Sequence, residues 1–417
     1  MKNSVKIRRN FSIQPVLDHL SKARKLNPDG SYTLNDFNGF YECESYLTTA
    51  LEIPGRSMPF VKAVVVKAIA EHQDFTEDSF LRASKKAALE LLGRQKRFRV
   101  VFPIINVTGV ISGRRRLRDF SVDFDLQNRS VYQKVLNGRL ELAEKHKDFK
   151  REKIFPNSTG AVTLAQVLVD AIHPTEAYYL AESEILTILG LASFSGLSHQ
   201  TWRMSGGWVR PVSPILLCPM VTVHHETGAI AVDQFWYEEF PSENPPAPLD
   251  KERARVVKRN FDFLYSSVSQ VPWRREILDY LEQYQRAFSQ VNMERTFLDG
   301  WKLLEQIVGN SNSSADKMIP MAISHWRERS FLGQVGRHLS VRRNHIAHRK
   351  RIDASDEETL AHQVHALVYP LLLTCMKNPF SFDSIEEFRM FCQTGSDTDA
   401  IRRRIRVYES ALRFRDN

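Results

Sequence analysis

A proline-rich segment near the middle of the chain divides the sequence into two parts. Residues 241–248 read Pro-Ser-Glu-Asn-Pro-Pro-Ala-Pro, so half of these positions are proline. Proline fixes its own φ angle and lacks a backbone N–H donor, which disfavours the interior of both helices and sheets. The sequence therefore predicts an extended linker over residues 241–250, between a domain of residues 1–240 and a domain of residues 251–417.

The part before the linker mixes strand and helix patterns. Val, Ile and Phe are frequent over residues 97–112, and apolar residues alternate over residues 117–126, with Gly113 and three arginines between the two segments. We predict that these segments pair as a hairpin. Residues 214–240 predict two more strands, joined by a turn at Glu226-Thr227-Gly228. Apolar residues at helical spacing predict three helices: Ser57–Gln73, Thr76–Leu92 and Pro174–Leu191.

The part after the linker has helical periodicity almost throughout. The predicted helices are Lys251–Ser269, Arg274–Gln290, Glu294–Val308, Ala315–Arg327, Leu332–Arg351, Ser355–Met376 and Thr398–Phe414. In the last of these, arginines surround an apolar stripe formed by Ile401, Ile405, Tyr408 and Leu412. The whole pattern predicts an α+β chain, in which an N-terminal mixed α/β domain with antiparallel hairpins precedes an all-α helical bundle.

Composition limits the class of protein. Hydrophobic residues make up 42% of the chain and charged residues 26%, as in ordinary soluble proteins. The four cysteines form no C-x-x-C pair, which disfavours a disulfide scaffold or structural zinc and favours a reducing compartment. No N-terminal apolar run resembles a signal peptide, and the apolar stretch at residues 366–376 is too short to span a bilayer. We therefore expect a cytoplasmic protein with no membrane partner.

Basic residues are concentrated in a few segments. The chain has 58 Lys and Arg against 49 Asp and Glu, a net charge of +9. The densest segment, residues 340–351, reads Ser-Val-Arg-Arg-Asn-His-Ile-Ala-His-Arg-Lys-Arg, and no acidic residue occurs between Glu328 and Asp353. Neighbouring cations on one element repel each other, and a polyanionic partner offsets that cost. The segment therefore predicts a phosphate-binding site that also contains titratable imidazoles.

An ideal helix places the polar residues of this segment on different faces. At about 100° per residue, Asn344 and His348 share a face, and Arg351 lies one turn beyond. Arg343 lies roughly 140° from His348, so a partner chain or an irregular turn must help to bring the two side chains together. The predicted buried stripe of this helix consists of Val335, Leu339 and Ile346.

These residue types can cleave RNA without a metal ion. The reaction requires the 2′-OH to lose a proton, charge on the phosphorane oxygens to be neutralised, and the 5′-oxygen to gain a proton. Imidazole, with an unperturbed pKa of about 6.5, can serve either proton transfer. Arginine supplies permanently charged, bidentate donors to phosphate oxygens. Asn344 can orient a phosphate or an imidazole without adding charge.

The order of these residues resembles a known signature. Residues 343–348, Arg-Asn-His-Ile-Ala-His, resemble the R-N-x-x-x-H motif of HEPN domains. Residues 295–305, which include Trp301 and Glu305, resemble an earlier helix of the ApeA-like HEPN group, and residues 382–388 are similar to the tail of that group. The resemblance extends over residues 251–393. It is interrupted directly after the motif, where many members have glycine and this chain has Arg349-Lys350-Arg351.

The resemblance implies an all-α HEPN bundle that dimerises through the C-terminal domain and acts as a metal-independent endoribonuclease in prokaryotic antiphage defence, abortive infection or toxin systems. It implies four catalytic residues: Arg343, Asn344, His348 and Glu305. With the charge pattern, it makes five more residues candidates for RNA binding: Arg342, His345, Arg349, Lys350 and Arg351. No metal or other cofactor is expected. The expected partners are RNA, a second copy of the chain, and a protein partner or trigger at residues 1–240.

Two other functions fit the same residues. One is a catalytically inactive HEPN module that binds RNA or a partner protein. The other is a helical interaction protein whose basic faces bind acidic proteins. An RNA affinity that barely changes with salt concentration would favour this second function. A metal site at His224-His225-Glu226 is disfavoured, because consecutive strand residues point to opposite faces and no third ligand stands at a useful spacing.

Overall fold

A computed structural model describes residues 5–26, 32–71, 75–146, 162–197, 210–241, 246–309, 315–326, 329–347, 354–395 and 397–415. Helices and antiparallel strands are both present, which confirms the predicted α+β class. The chain forms two compact units. The first consists of Met1–Val100, Leu168–Glu182 and Val223–Asp233, and the second of Val101–Val167, Ser183–Thr222 and Gln234–Asn417. The second unit therefore contains residues from both sides of the proline-rich segment.

The first hundred residues are mainly helical. Their elements are β1 (Lys6–Ile7), α1 (Gln14–Ala23), β2 (Arg24–Leu26), β3 (Tyr32–Leu34), α2 (Phe37–Ala50), β4 (Leu51–Glu52), α3 (Met58–Glu71) and α4 (Glu77–Leu92). Helices α3 and α4 confirm two predictions, whereas α1 and α2 were not predicted. These helices bury one apolar cluster that includes Leu17, Leu47, Phe60 and Phe80. Asp36 caps the N-terminus of α2, and its side chain accepts a hydrogen bond from the Gly39 N–H at 3.0 Å.

The middle of the chain contains most of the strands. Its elements are β5 (Lys96–Ile105), β6 (Arg114–Arg115), β7 (Val122–Asp123), α5 (Tyr132–Lys145), β8 (Thr163–Ala171), α6 (Pro174–Leu197), β9 (Leu216–Leu217) and β10 (Thr222–His225). The strand order in the sheet is β10-β5-β8-β7-β6, and β9 also pairs with β5. The turn predicted after β10 is present, with Gly228 at φ 90°, and His224 forms a bridge to Ile230.

The predicted hairpin between residues 97–112 and 117–126 is wrong. The strand β8, which was not predicted, lies between β5 and β7. The strand β5 ends at Ile105 because Asn106 adopts a positive φ of 63°, and the Val107 carbonyl then accepts hydrogen bonds from the Val110 and Ile111 N–H groups in a compact turn. The hairpin that does form is the short pair β6–β7, in which Arg115 lies opposite Val122.

The remainder of the chain is helical. Its elements are α7 (Lys251–Val268), α8 (Arg274–Phe288), α9 (Met293–Val308), α10 (Ala315–Ala322), α11 (Ser330–Ala347), α12 (Ala354–Lys377), α13 (Ile385–Gln393) and α14 (Thr398–Arg415). All except α13 were predicted, although α10 is shorter than expected. The helix α9 packs against α8 and α12, and its Phe297, Trp301 and Leu304 side chains are buried. These helices position the candidate site.

The helix α6 joins this bundle within the second unit. Gly190 of α6 lies so close to α8 that a Cβ atom would be 2.0 Å from the Leu281 carbonyl oxygen. One turn later, the Phe194 ring lies 5.3 Å from the Tyr284 ring and stacks 4.3 Å from the Tyr369 ring of α12. Residues from before the proline-rich segment therefore form part of the core of the helical bundle.

The described part of the proline-rich segment has no regular secondary structure, and it is attached to its surroundings. The Asn106 side chain donates hydrogen bonds to the Ala247 carbonyl at 3.2 Å and to the Pro214 carbonyl at 2.8 Å. Pro241 and Pro246 are buried. Burial of Pro241 at one described end, and burial of Pro246 with the Ala247 hydrogen bond at the other, therefore attach the segment to the rest of the protein.

A buried carboxyl group on α6 holds the loop between β6 and β7. Oε1 of Glu184 accepts hydrogen bonds from the Asp119 N–H at 2.9 Å and the Phe120 N–H at 3.1 Å. Its Oε2 atom is buried and has no hydrogen-bond partner among the described residues. Burial raises the pKa of Glu184 to about 7, against the opposing effect of the two N–H donors.

This pKa predicts a pH-dependent contribution to stability. Because the folded chain holds the Glu184 proton more tightly than the unfolded chain does, the contribution is fully present below pH 4.5 and is lost as the pH rises to about 7. The loss over that interval is on the order of 3 kcal/mol. Glu184→Gln keeps an oxygen acceptor but cannot ionise, so its free energy of unfolding should rise relative to wild type between pH 5 and 7.5 in urea titrations. Parallel pH profiles for the two proteins would refute the assignment.

Candidate functional site

The helix α11 carries the basic segment and is fixed to the bundle by its apolar face. Leu339 and Ile346 are buried, as predicted, whereas Val335 is half-buried. Gly336 lies against α10, where a Cβ atom would be 2.3 Å from Cγ2 of Ile319. This close approach packs α11 against α10 about two turns before the R-N-x-x-x-H motif begins at Arg343.

Arg342 has a carboxylate partner on the next helix. Its Nη2 atom lies 2.7 Å from Oδ2 of Asp356, near the start of α12. The side chain of Arg342 is half-buried, while Asp356 is exposed. Part of the positive charge that the sequence presents as free is therefore neutralised in this structure, and the predicted contact of Arg342 with RNA stays a prediction.

Arg343 and Asn344 are neighbours on the last turn of α11. The Nη1 atom of Arg343 lies 3.4 Å from Oδ1 of Asn344, a long and weak hydrogen bond. Arg343 is half-buried at the edge of the packed face, and Asn344 is exposed to solvent. Among the described residues, neither side chain forms an ion pair with a carboxylate. Both groups are thus available to a phosphate.

The other residues of the motif are described only in part. His345 is half-buried and directly precedes the buried Ile346. His348, Arg349, Lys350 and Arg351 lie outside the described residues. The predicted offset between Arg343 and His348 therefore stays a prediction.

Two polar residues on α11 were not singled out from the sequence. Arg337 and His338 are exposed, and each lies seven residues before a motif residue, Asn344 or His345. Because seven residues make nearly two full turns, each pair shares a face of the helix. This spacing was visible in the sequence and extends the polar surface beside the motif by about two turns.

The Glu305 side chain accepts a hydrogen bond from a residue of its own helix, α9. On α9, its Oε1 atom accepts a hydrogen bond from the indole Nε1–H of Trp301 at 2.8 Å. Trp301 is buried, so this bond satisfies a donor that has no access to water. Among the described residues, Glu305 makes no hydrogen bond or ion pair with α11. The observed contact is structural, and the catalytic role of Glu305 stays a prediction.

The Trp301–Glu305 contact predicts different effects for two substitutions. Glu305→Leu would leave the buried indole donor unpaired and should lower the free energy of unfolding by about 1–3 kcal/mol. Glu305→Gln keeps an oxygen acceptor at the same place and should cost much less. Guanidinium denaturation of the two variants measures the difference, and equal stability would show that the hydrogen bond contributes nothing.

The arginines of β6 and of the loop after it contact other groups of the protein. Nε of Arg114 lies 3.8 Å from Oδ2 of Asp123, and the backbone of Arg116 exchanges hydrogen bonds with the Tyr265 hydroxyl. Arg118 forms an ion pair with Asp279 at 2.8 Å. Residues 114–118 therefore connect β6 and the loop after it to β7, α7 and α8, whereas Arg343 of α11 has no carboxylate partner among the described residues.

Two further imidazoles lie on α12 and are neutral at physiological pH. Burial lowers the pKa of His365 to about 3 and that of His362 to about 4. The Nε2 atom of His365 lies 2.7 Å from the Tyr284 hydroxyl, which donates to the neutral ring. Burial also raises the pKa of Tyr284, so this donor keeps its proton. The pair is a core hydrogen bond between α8 and α12.

The described residues contain no group of three or more His, Cys, Asp or Glu side chains placed to hold a metal ion. None of the described helices combines the length and the apolar character needed to cross a membrane. Comparison of the chain with models of known protein families, with curated proteins and with solved structures found no match.

Proposed function

We propose that this chain is a metal-independent endoribonuclease of the HEPN type, acting as a homodimer in prokaryotic defence or in a toxin system. One observation carries the proposal. Arg343 and Asn344, the first two residues of the R-N-x-x-x-H motif, lie side by side near the end of α11, which is anchored by the buried Leu339 and Ile346, and neither is engaged by a carboxylate among the described residues.

The position of Arg343 on α11 supports its proposed role in transition-state stabilisation. Its guanidinium would neutralise charge on the phosphorane oxygens, and its half-buried position lowers the local dielectric and strengthens that interaction. The exposed Asn344 amide would orient the phosphate. The backbone of α11 holds both groups because Leu339 and Ile346 anchor the helix on either side of them.

In this mechanism an imidazole side chain carries out a proton transfer. A general base removes the proton from the 2′-OH, the 2′-oxygen attacks phosphorus, and the bond from phosphorus to the 5′-oxygen breaks as that oxygen is protonated. His348 serves one of these two transfers. The products are a 2′,3′-cyclic phosphate and a free 5′-hydroxyl, with no water consumed.

The identity of the nucleophile gives a direct test. A single-stranded RNA with one strong cleavage site is incubated with the protein in EDTA, beside the same RNA carrying one 2′-deoxy nucleotide immediately 5′ to that site. We expect cleavage of the first at that site and none of the second, since no 2′-OH is present to attack. Equal cleavage of both RNAs would contradict the mechanism, and binding of both without cleavage would favour an inactive RNA-binding module.

A further inference from the structure

The last helix, α14, exposes an apolar stripe. None of its 18 residues is buried, and Ile405, Tyr408 and Leu412 are 49%, 65% and 61% exposed. A helix of this length gains most of its stability in proteins by packing an apolar face against another surface. Within the described part of the chain nothing covers this face, so it is a surface for a partner.

The shape of the stripe indicates which partner. Its members Ile401, Ile405, Tyr408 and Leu412 are separated by four, three and four residues, which is the spacing of alternating d and a positions in a heptad repeat. On the helix these four residues span about 60°, and the other two large exposed apolar side chains of α14, Val407 and Phe414, lie outside this stripe. This spacing places all four side chains along one seam, which is the geometry of a two-stranded coiled coil.

The charges beside the seam are complementary to a second copy of the same helix. With Ile405 at an a position, Arg404 occupies g and Glu409 occupies the following e position. In a parallel pair, a g residue of one helix lies beside the next e residue of the other. Among the described residues, neither side chain forms an ion pair or a hydrogen bond, so both charges are free to pair between chains.

We propose that α14 pairs in parallel with α14 of a second copy of this chain, as a two-stranded coiled coil in which Arg404 faces Glu409 of the partner subunit. The pairing surface consists of the residues of the stripe and of Arg404 and Glu409. This inference does not depend on the nuclease activity proposed above, because no residue of α14 takes part in that chemistry.

Disulfide crosslinking of the full chain tests the pairing. The described native cysteines are all buried, so a new exposed cysteine reports on its own surroundings. Ile405→Cys should give a disulfide-linked dimer on mild oxidation, because identical a positions face each other in a parallel pair. The matched control is Val407→Cys. Val407 is 64% exposed and lies roughly 160° from Ile405 around the same helix. Crosslinking of both variants at the same rate, or of neither, would overturn the proposal.

Charge reversal identifies the partner as a second copy. In the Ile405→Cys background, Arg404→Glu or Glu409→Arg alone places like charges together and should slow crosslinking about tenfold. The double variant, or an equal mixture of the two single variants, should restore the rate. Unchanged rates in the single variants, or binding of α14 to vesicles of phosphatidylcholine and phosphatidylserine in place of crosslinking, would overturn the proposal. RNA cleavage is not read in this experiment, so its outcome is separate from that of the proposed function.

Discussion

Arg343→Ala is expected to slow RNA cleavage by about 10²–10³-fold, the usual loss when one donor to a developing oxyanion is removed. Arg343 lies at the edge of the packed face of α11, beside Asn344 and without a carboxylate partner among the described residues. Truncating its side chain therefore removes charge from the site without removing apolar contacts that anchor the helix. Single-turnover cleavage of a labelled RNA at saturating protein measures the loss.

Two further variants separate catalysis from general attraction to RNA. Arg343→Lys keeps the charge but loses the bidentate geometry, and should lie between wild type and Arg343→Ala. Arg255→Ala removes an exposed arginine from α7 in the same unit, and should change the single-turnover rate less than twofold, as surface substitutions away from a site usually do. If Arg255→Ala slows cleavage as much as Arg343→Ala does, the motif has no special part in the reaction.

Gly190→Ala is expected to lower the free energy of unfolding by about 3 kcal/mol or more, at the upper end of the cost of overpacking a core. The added Cβ atom would lie 2.0 Å from the carbonyl oxygen of Leu281. Backbone atoms cannot rotate away as a side chain can, so α6 and α8 must separate. That separation would also disturb the Phe194 contacts with Tyr284 and Tyr369.

The same helix supplies a matched control. At Gly196 a Cβ atom would lie 3.6 Å from Cγ1 and Cγ2 of Val257, an ordinary van der Waals contact. Because alanine is the better helix former by about 1 kcal/mol, Gly196→Ala should leave stability unchanged or raise it slightly. Urea denaturation of both variants tests the contrast. Equal stabilities for Gly190→Ala and Gly196→Ala would show that α6 does not pack against α8 as described.

Helices with strong apolar periodicity were predictable from local sequence, and strand pairing was not. The sequence predicts α3, α4, α7, α8, α9 and α12 to within a few residues, because each repeats apolar residues on one face. The neighbours of β5 depend on β8, which lies more than fifty residues away in the sequence, and no local pattern specifies that pairing. The strand β5 is buried almost throughout, so it lacks the alternation that would indicate a half-exposed hairpin strand.

In the candidate site, too, contacts within one helix were predictable from the sequence and contacts between helices were not. The burial of Leu339 and Ile346 follows from periodicity on α11 and is confirmed. The i, i+4 spacing of Trp301 and Glu305 could have indicated their hydrogen bond, because such residues are neighbours on a helix. The ion pair between Arg342 and Asp356 joins two helices, and no periodicity within either one predicts it.

The most direct test of the central claim uses His348 in the absence of metal ions. Wild type, His348→Ala and His338→Ala are each incubated with the same labelled RNA in EDTA. His338 is the matched control, because it is an exposed imidazole on α11 outside the motif. The proposed function predicts cleavage by wild type and His338→Ala, and a loss of about 10²-fold or more for His348→Ala. Cleavage by His348→Ala at the wild-type rate would contradict it.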